Sequence, residues 1–434
     1  MSTQLIGFIA MLGLFGMIML RVPVAIALGV AGFLGYAAID DLNRALIAVA
    51  NTPYDLSDRY SFTVVPMFVL MGIVASKSGM SGELYRAASA IFTGARGALA
   101  LATIGACAAF GSICGSSLAT AATMSRVAIP EMRKYGYDER LSSGVVASAG
   151  CIGAIIPPSL PLIIYAIIAE QGVPQLFAAA LLPGIAITIF HIVVVIVVAA
   201  MHPERAPASP AMAMPERIRA VVAMWKVIVL FTIAVVGIYT GFMSPTEAAA
   251  VAAFVAIVIA FATRSMTWRS LIDALLETVW TTGQLFFIVI GAFLFAYFIV
   301  LTKLPNSIQL AMQALGAGPL VVILLIVGFY LVLGCFLDAI SMILITIPIF
   351  LPIATAAGYD PIWFGVLVLI AVEVGLITPP VGLNIFVVRA TVPDVRLGDV
   401  YRGIVPFLWA HAATIAALIL VPALATWLPR ALYQ

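Results

Sequence analysis

Charge is scarce in this chain: Asp, Glu, Lys and Arg together make up 9% of its 434 residues. A surface facing water needs about a quarter, so a soluble globular fold is excluded, and the formal net charge of +2 gives no basis for binding nucleic acid. Paired cysteines are lacking too. Cys107, Cys114, Cys151 and Cys335 stand singly in apolar segments, without CxxC or metal-ligand spacing, and read as small packing residues. No lysine follows a glycine in a G-x-x-x-x-G-K-[ST] run and no H-E-x-x-H occurs, which removes a phosphate-cradling ATP loop and a zinc-protease helix. Gly79-Met80-Ser81-Gly82 matches a GxSG string. It sits beside Lys77 at the end of an apolar run, and so short a motif leaves an intramembrane protease as a remote alternative. A basic leader segment is also missing, so the first apolar run is expected to stay as an anchor.

What is abundant is apolar sequence: 64% of the residues are hydrophobic and the mean hydropathy is +1.19. The chain therefore reads as an all-α polytopic membrane protein. A crossing takes about 20 apolar residues, and that length places crossings at 4–20, 22–39, 61–77, 142–168 and 178–200, then at 222–241, 246–263, 279–301, 361–388 and 404–428. Two interruptions stand out. Residues 111–162 and 334–385 carry glycine, serine, threonine and proline where uninterrupted helix is expected. They align with each other: Pro130 with Pro352, Gly136-Tyr137-Asp138 with Gly358-Tyr359-Asp360, Gly153 with Gly375, and Pro157-Pro158 with Pro379-Pro380, each 222 positions apart (358 − 136). One offset shared by separate landmarks marks a duplication. The units are expected at 1–202 and 222–434, joined by a Pro- and Ala-rich cytoplasmic linker at 203–221.

The runs 98–132 and 319–354 are too long for one straight crossing and are polar at their middles. Each is expected to be a re-entrant helical hairpin, followed by a broken transmembrane helix at 142–168 or 361–388. Irregular backbone at that depth must be buried in protein or line a cavity. With each hairpin adding no net crossing, an odd number of crossings per repeat inserts the second half upside down. Charges agree: Arg133, Lys134 and Arg140 follow the first hairpin while 353–359 has no basic residue, and Arg389, Arg396 and Arg402 follow the second break while 170–175 has none. Basic residues favour the cytoplasmic side. The first hairpin therefore enters from the cytoplasm, the second from outside, and both termini are expected to be periplasmic, with Arg430 a mild exception. The less apolar stretches 81–96 and 305–315 read as interfacial connectors.

Half-helix ends at mid-membrane attract ions, because their N–H and C=O groups are free. The first candidate cation site is Ser112, Gly115, Ser116 and Ser117 facing Gly153, Ile156 and Pro157; the second is Gly334, Leu337 and Asp338 facing Gly375, Thr378 and Gly382. Hydroxyl and carbonyl oxygens suit Na⁺ better than a transition metal. Any single serine here could equally be a packing residue; the recurrence of polar hairpin tip and Pro-Pro break favours a site. Asp338 occupies the position of Ser116 in the repeat, and Glu373 is the other deep acid, able to neutralise a cation, relay a proton or pair between helices. Ser159 and Asn384, beside the two breaks, are the candidate substrate contacts, Asn384 being as well suited to a helix-to-helix hydrogen bond. Arg126 is expected to snorkel toward the loop.

The chain resembles the large membrane subunit of tripartite ATP-independent periplasmic (TRAP) transporters. The resemblance covers nearly the full length and rests on residues 65–72 (VPMFVLMG), the GSS run within 111–120, Ile156-Pro157-Pro158-Ser159 and residues 376–382 (LITPPVG). It implies an elevator mechanism in the ion-transporter superfamily, Na⁺ coupling, uptake of an organic acid such as a C4-dicarboxylate or sialic acid, a location in the bacterial inner membrane, a small membrane subunit and a periplasmic substrate-binding protein. Residues 1–7 leave no room for a fused small subunit, so a separate chain is expected. A self-sufficient Na⁺-coupled anion symporter of the same superfamily is the alternative. The inversion is checked by labelling single cysteines in sealed cells: Gly136→Cys is expected to react from the cytoplasm and Gly358→Cys from outside, and same-side reaction would refute it.

Overall fold

A computed structural model describes residues 2–209 and 211–433; Met1, Pro210 and Gln434, at the expected unit ends and in the linker, lie outside the described residues. Among the described residues the structure is helical throughout, with one isolated bridge between Arg96 and Ala208 and no strand. Seven helices among the described residues are long and apolar enough to cross a membrane, and Glu139–Ile155 with Leu160–Ile168, bent by 43°, makes an eighth if the pair is taken as one span. Shorter apolar helices, among them Thr3–Met19, Val24–Ile39 and Pro361–Gly375, add to these.

The helices recur as the sequence offset predicts. Ala98–Cys114, Ser117–Lys134, Glu139–Ile155, Leu160–Ile168 and Val173–Met201 are matched by Pro319–Gly334, Ala339–Ala356, Pro361–Gly375, Leu383–Thr391 and Leu397–Leu420. Every expected hairpin is two helices joined by a tight turn, and every expected break separates two half-helices. The turns follow from local chemistry. Gly115 takes φ +64° to end one helix, and Ser116 starts the next by accepting a hydrogen bond from the Ala119 N–H at 3.4 Å. Asp138 and Asp360 cap the broken helices, each accepting from two backbone N–H groups.

Close crossing of backbones holds the hairpins against the breaks. A Cβ built on Gly111 would stand 1.9 Å from the Gly153 Cα, and one on Gly334 would stand 2.5 Å from the Gly375 Cα. Only glycine at all four positions lets each outgoing hairpin helix lie on its broken helix. A polar network ties the breaks outward: buried Ser148 bonds the Nε2 atoms of His191 at 2.8 Å and His411 at 3.2 Å. His191 Nδ1 faces the Ile187 carbonyl, which can only accept. The hydrogen on His191 is therefore on Nδ1, Ser148 donates to its Nε2, and His411 donates to Ser148.

Three features differ from expectation. An amphipathic helix, Leu42–Asp58, precedes the crossing that begins at the Tyr60–Thr63 turn, whereas its counterpart is fused into one 35-residue helix, Trp268–Thr302. Asp55, Ser57, Asp58 and Arg59 break the first copy, while Leu275, Leu276, Val279 and Trp280 let the second continue. The crossing expected at 404–428 ends at Leu420 because Pro422 stops it, and Ala423–Tyr433 is a separate helix. The region 203–221 is partly helical, since Met214–Val222 is amphipathic and lies against Met80–Ile91. Upstream of it, the Arg205 and Ala206 carbonyls accept from Asp138 and Gly97 at 3.1 and 3.2 Å, fastening the linker across the base of the first hairpin. Lys226 then pairs with Glu83 at 2.7 Å.

Substitution at the crossings has a clear expected outcome. Gly111→Ala or Gly334→Ala forces two backbones apart at about 1–3 kcal/mol and lowers the thermal unfolding midpoint of the purified protein. Gly13→Ala, whose added Cβ meets nothing within 4 Å, should leave it unchanged.

Candidate functional site

Both hairpin tips open onto one cavity. It has a volume of about 600 Å³ and lies between the tips, the helices Val64–Lys77 and Trp268–Thr302, and the start of Leu160–Ile168. Gly115, Ser116 and Ser117 line it from the first tip and Asp338 and Ala339 from the second. Two helices thus begin at its wall, Ser117–Lys134 and Ala339–Ala356, and helix starts carry partial positive charge and free N–H groups.

The first tip is fastened to the first break. The Gly115 carbonyl accepts from the Leu160 N–H at 3.2 Å, and a Cβ on Gly115 would meet the Pro158 carbonyl at 3.1 Å. Ser112 donates to the Ala109 carbonyl at 2.8 Å and Ser117 to Glu373 Oε1 at 3.2 Å. Their hydrogens are committed, yet each oxygen keeps lone-pair capacity. Gly153 lies under Gly111, and Ile156 leaves the helix in an extended conformation before the cis Pro157-Pro158 bond. Thr120, absent from the sequence-derived set, faces Gly153, and its buried hydroxyl has no partner among the described residues. Its signal was its place one turn after Ser117 on the same helix face.

The second half is built differently. Asp338 caps its helix, accepting from the Ile340 and Ser341 N–H groups at 3.2 Å each and from the Ser341 hydroxyl. Leu337 is buried beside it and Gly334 packs on Gly375. Thr378 turns its hydroxyl to the Val374 carbonyl at 2.7 Å, and the Cys335 thiol reaches the Thr378 and Pro379 carbonyls at 3.5 and 3.4 Å. Gly382 adopts φ +69° after the second cis bond, Pro379-Pro380. Tyr401 donates to the carbonyls of Pro380 and Val381 at 2.6 and 2.8 Å, a clasp the first break lacks because position 179 is alanine.

Ser159 and Asn384 are sealed from the cavity. Ser159 caps Leu160–Ile168 by accepting from the Leu162 N–H at 3.4 Å. Asn384 donates to Cys151 Sγ at 3.1 Å and the Ala147 carbonyl at 3.4 Å, the helix-to-helix role left open by its sequence position. Glu373 is wholly buried beside it, with Oε2 unpartnered among the described residues, and Cys151 donates to the Glu373 carbonyl at 3.3 Å. Arg126 is exposed and lines the cavity, as do Lys77 and Glu277, paired at 2.9 Å. Ser81 of the GxSG string is buried in the helix Met80–Ile91, and the two fully buried histidines serve Ser148 instead. Ser117→Ala removes the donor from the buried Glu373 carboxyl and should cost about 1–3 kcal/mol, read as a lower unfolding midpoint. Ser112→Ala, which loses only a bond within its own helix, should fall well short of that.

The family described as "Tripartite ATP-independent periplasmic transporter, DctM component" matches residues 11–424. Similar proteins include the C4-dicarboxylate TRAP transporter large permease protein DctM of Pseudomonas aeruginosa, 36% identical over 87% of this chain and 88% of that one. The sialic acid TRAP transporter permease protein SiaT of Haemophilus influenzae is 29% identical over 98% of this chain and 68% of its own length. Among solved structures, the Alcanivorax borkumensis YdaH transporter shares the fold, with a TM-score of 0.63, 15% identity and coverage of 88% and 89%.

Proposed function

The chain belongs to the DctM-component family of tripartite ATP-independent periplasmic transporters, and on that premise we propose that it imports an organic acid across the bacterial inner membrane, driven by Na⁺. The family works as a large permease with a small permease and a periplasmic binding protein, which speaks against a self-sufficient symporter. The observation that carries the proposal is the meeting of both hairpin tips at one cavity, beside two helices that belong to neither hairpin. In this reading Val64–Lys77 and Trp268–Thr302 are scaffold, and the hairpins and broken helices carry the substrate past them.

Each half supplies one cation position. The first uses oxygens of Ser112, Gly115, Ser116, Ser117, Gly153, Ile156 and Pro157; the second those of Gly334, Leu337, Asp338, Gly375, Thr378 and Gly382. Oxygen-only donors of this kind suit a hard monovalent ion, and the residues fit it, because hydroxyl oxygens at the first tip and a carboxylate at the second remain able to accept. Bound Na⁺ supplies positive charge beside the two helix starts and thereby favours a carboxylate in the cavity. Ser159 and Asn384 shape the breaks from behind. One charge moving through 100 mV supplies about 2.3 kcal/mol before any gradient is counted. The linker's bonds to the base of the first hairpin support a common cytoplasmic side for both, and on that orientation both termini are periplasmic.

In proteoliposomes holding the assembled complex and supplied with its binding protein, uptake should fall to background when K⁺ replaces Na⁺; undiminished uptake would contradict the proposal. Ser116→Ala and Asp338→Ala should each raise the Na⁺ concentration for half-maximal uptake by roughly tenfold. An unchanged Na⁺ response in both variants would remove the tips from the cation positions.

A further inference from the structure

A threonine inside a helix can turn its hydroxyl back onto a carbonyl of the preceding turn. Of the eight threonines buried among the described residues, six do so, as Thr103 bonds the Leu99 carbonyl at 2.8 Å and Thr346 the Met342 carbonyl at 2.7 Å. Thr120 and Thr282 do not, and neither hydroxyl has a partner among the described residues. Thr282 stands on Trp268–Thr302, outside the hairpins. Thr120 is wholly buried on the returning helix of the first hairpin. Its ordinary acceptor is at hand, since the Ser116 carbonyl accepts from the Thr120 N–H at 3.0 Å, yet the hydroxyl turns elsewhere. A buried hydroxyl without a partner is unfavourable.

The hydroxyl faces the first break. A Cβ built on Gly153 would stand 2.8 Å from Thr120 Oγ1 and equally 2.8 Å from the Gly111 Cα. Thr120 Oγ1 therefore lies where both helices of the first hairpin meet the first broken helix, beside Gly153 of the first cation position. Ser117 of that position and Thr120 are three residues apart and share one face of Ser117–Lys134. The unpartnered hydroxyl keeps both lone pairs free to accept.

The second half has no equivalent oxygen. Thr120 corresponds to Met342 (342 − 120 = 222) and Ser117 to Ala339, and both Met342 and Ala339 are buried and apolar. That half places a carboxylate, Asp338, where the first has Ser116. Neutral hydroxyls thus gather at one hairpin, and a single formal charge stands at the other.

We propose that the Thr120 hydroxyl oxygen is a further ligand of the first cation position, and of that position alone. The assignment rests on the reading that the hairpins and breaks hold Na⁺. It makes the two positions unequal, the first dependent on a threonine hydroxyl and the second on a carboxylate.

The test is equilibrium binding of radioactive sodium to the purified permease complex, with the unfolding midpoint in Na⁺-free choline buffer as the control for folding. Thr120→Val keeps the branched shape and removes the hydroxyl. Its Na⁺-free midpoint should be no lower than that of the wild type, while one of the two bound ions weakens roughly tenfold and the other is unchanged. Thr120→Ala removes the same oxygen from a smaller side chain and should weaken the same ion, which keeps the test open where the valine methyl does not fit. Thr120→Ser restores the oxygen and should keep both ions. The assignment is overturned if folded Thr120→Val or Thr120→Ala holds both ions as tightly as the wild type, the result of a hydroxyl that only packs or holds a water. It is equally overturned if both ions weaken alike, or if Thr120→Ser loses as much as Thr120→Val. Each of these results, with saturable binding intact in the wild type, leaves the transport reading standing; absence of saturable Na⁺ binding in the wild type would strike at that reading instead.

Discussion

Two contacts between bare backbones hold the structure to its shape: Gly111 on Gly153 and Gly334 on Gly375. A helix that stops at mid-membrane exposes N–H and C=O groups that hydrocarbon cannot satisfy, so each break must press against another element or face a polar space. The glycine crossings provide the first condition by bringing each hairpin helix within backbone contact of its broken helix. The tips then meet the second condition, since they end at a cavity. Polar ends and close crossing are one solution to one constraint.

The two halves fill that geometry with different chemistry. Ser116 and Asp338 share a position in the repeat, as do Cys151 and Glu373, 222 residues apart (373 − 151). A neutral hydroxyl in one half thus corresponds to a carboxylate in the other, and a thiol to a second acid. Glu373 joins the halves, because its carboxyl accepts from Ser117 of the first hairpin while its carbonyl accepts from Cys151 of the first broken helix. The second break is held further by Tyr401 and by the Cys335 thiol. The two halves thus share one order of helices and differ in charge and in the bonds that hold each break.

Much of this was legible in the sequence because the constraint is written in residue types. Glycine, proline and serine stand out against apolar sequence, and one offset located both hairpins and both breaks. Less visible was anything decided by a neighbour distant in the chain. The amphipathic helix Leu42–Asp58 escaped notice because its polar face breaks the apolar run without a turn signal. The start of Trp268–Thr302 lies outside the expected span because Arg269, Asp273 and Glu277 interrupt its apolar residues, although Leu275, Leu276, Val279 and Trp280 keep the helix continuous. Asn384 and Ser159 were placed at the right breaks, but their side chains turn inward to the protein, and orientation is not carried by spacing alone. The cavity that Arg126 lines is formed by helices more than a hundred residues apart, which no local pattern brings together.

In the proposed function the two breaks form one polar centre, with the cation positions behind the tips and the substrate before them. Its central claim concerns ions held by the chain itself, independent of any binding protein or turnover. Equilibrium binding of radioactive sodium to the purified permease complex, without substrate, measures that directly. The account predicts saturable binding of one ion per half, two per chain, displaced by unlabelled Na⁺ and not by K⁺. Absence of saturable binding, or displacement by K⁺ equal to that by Na⁺, would contradict it.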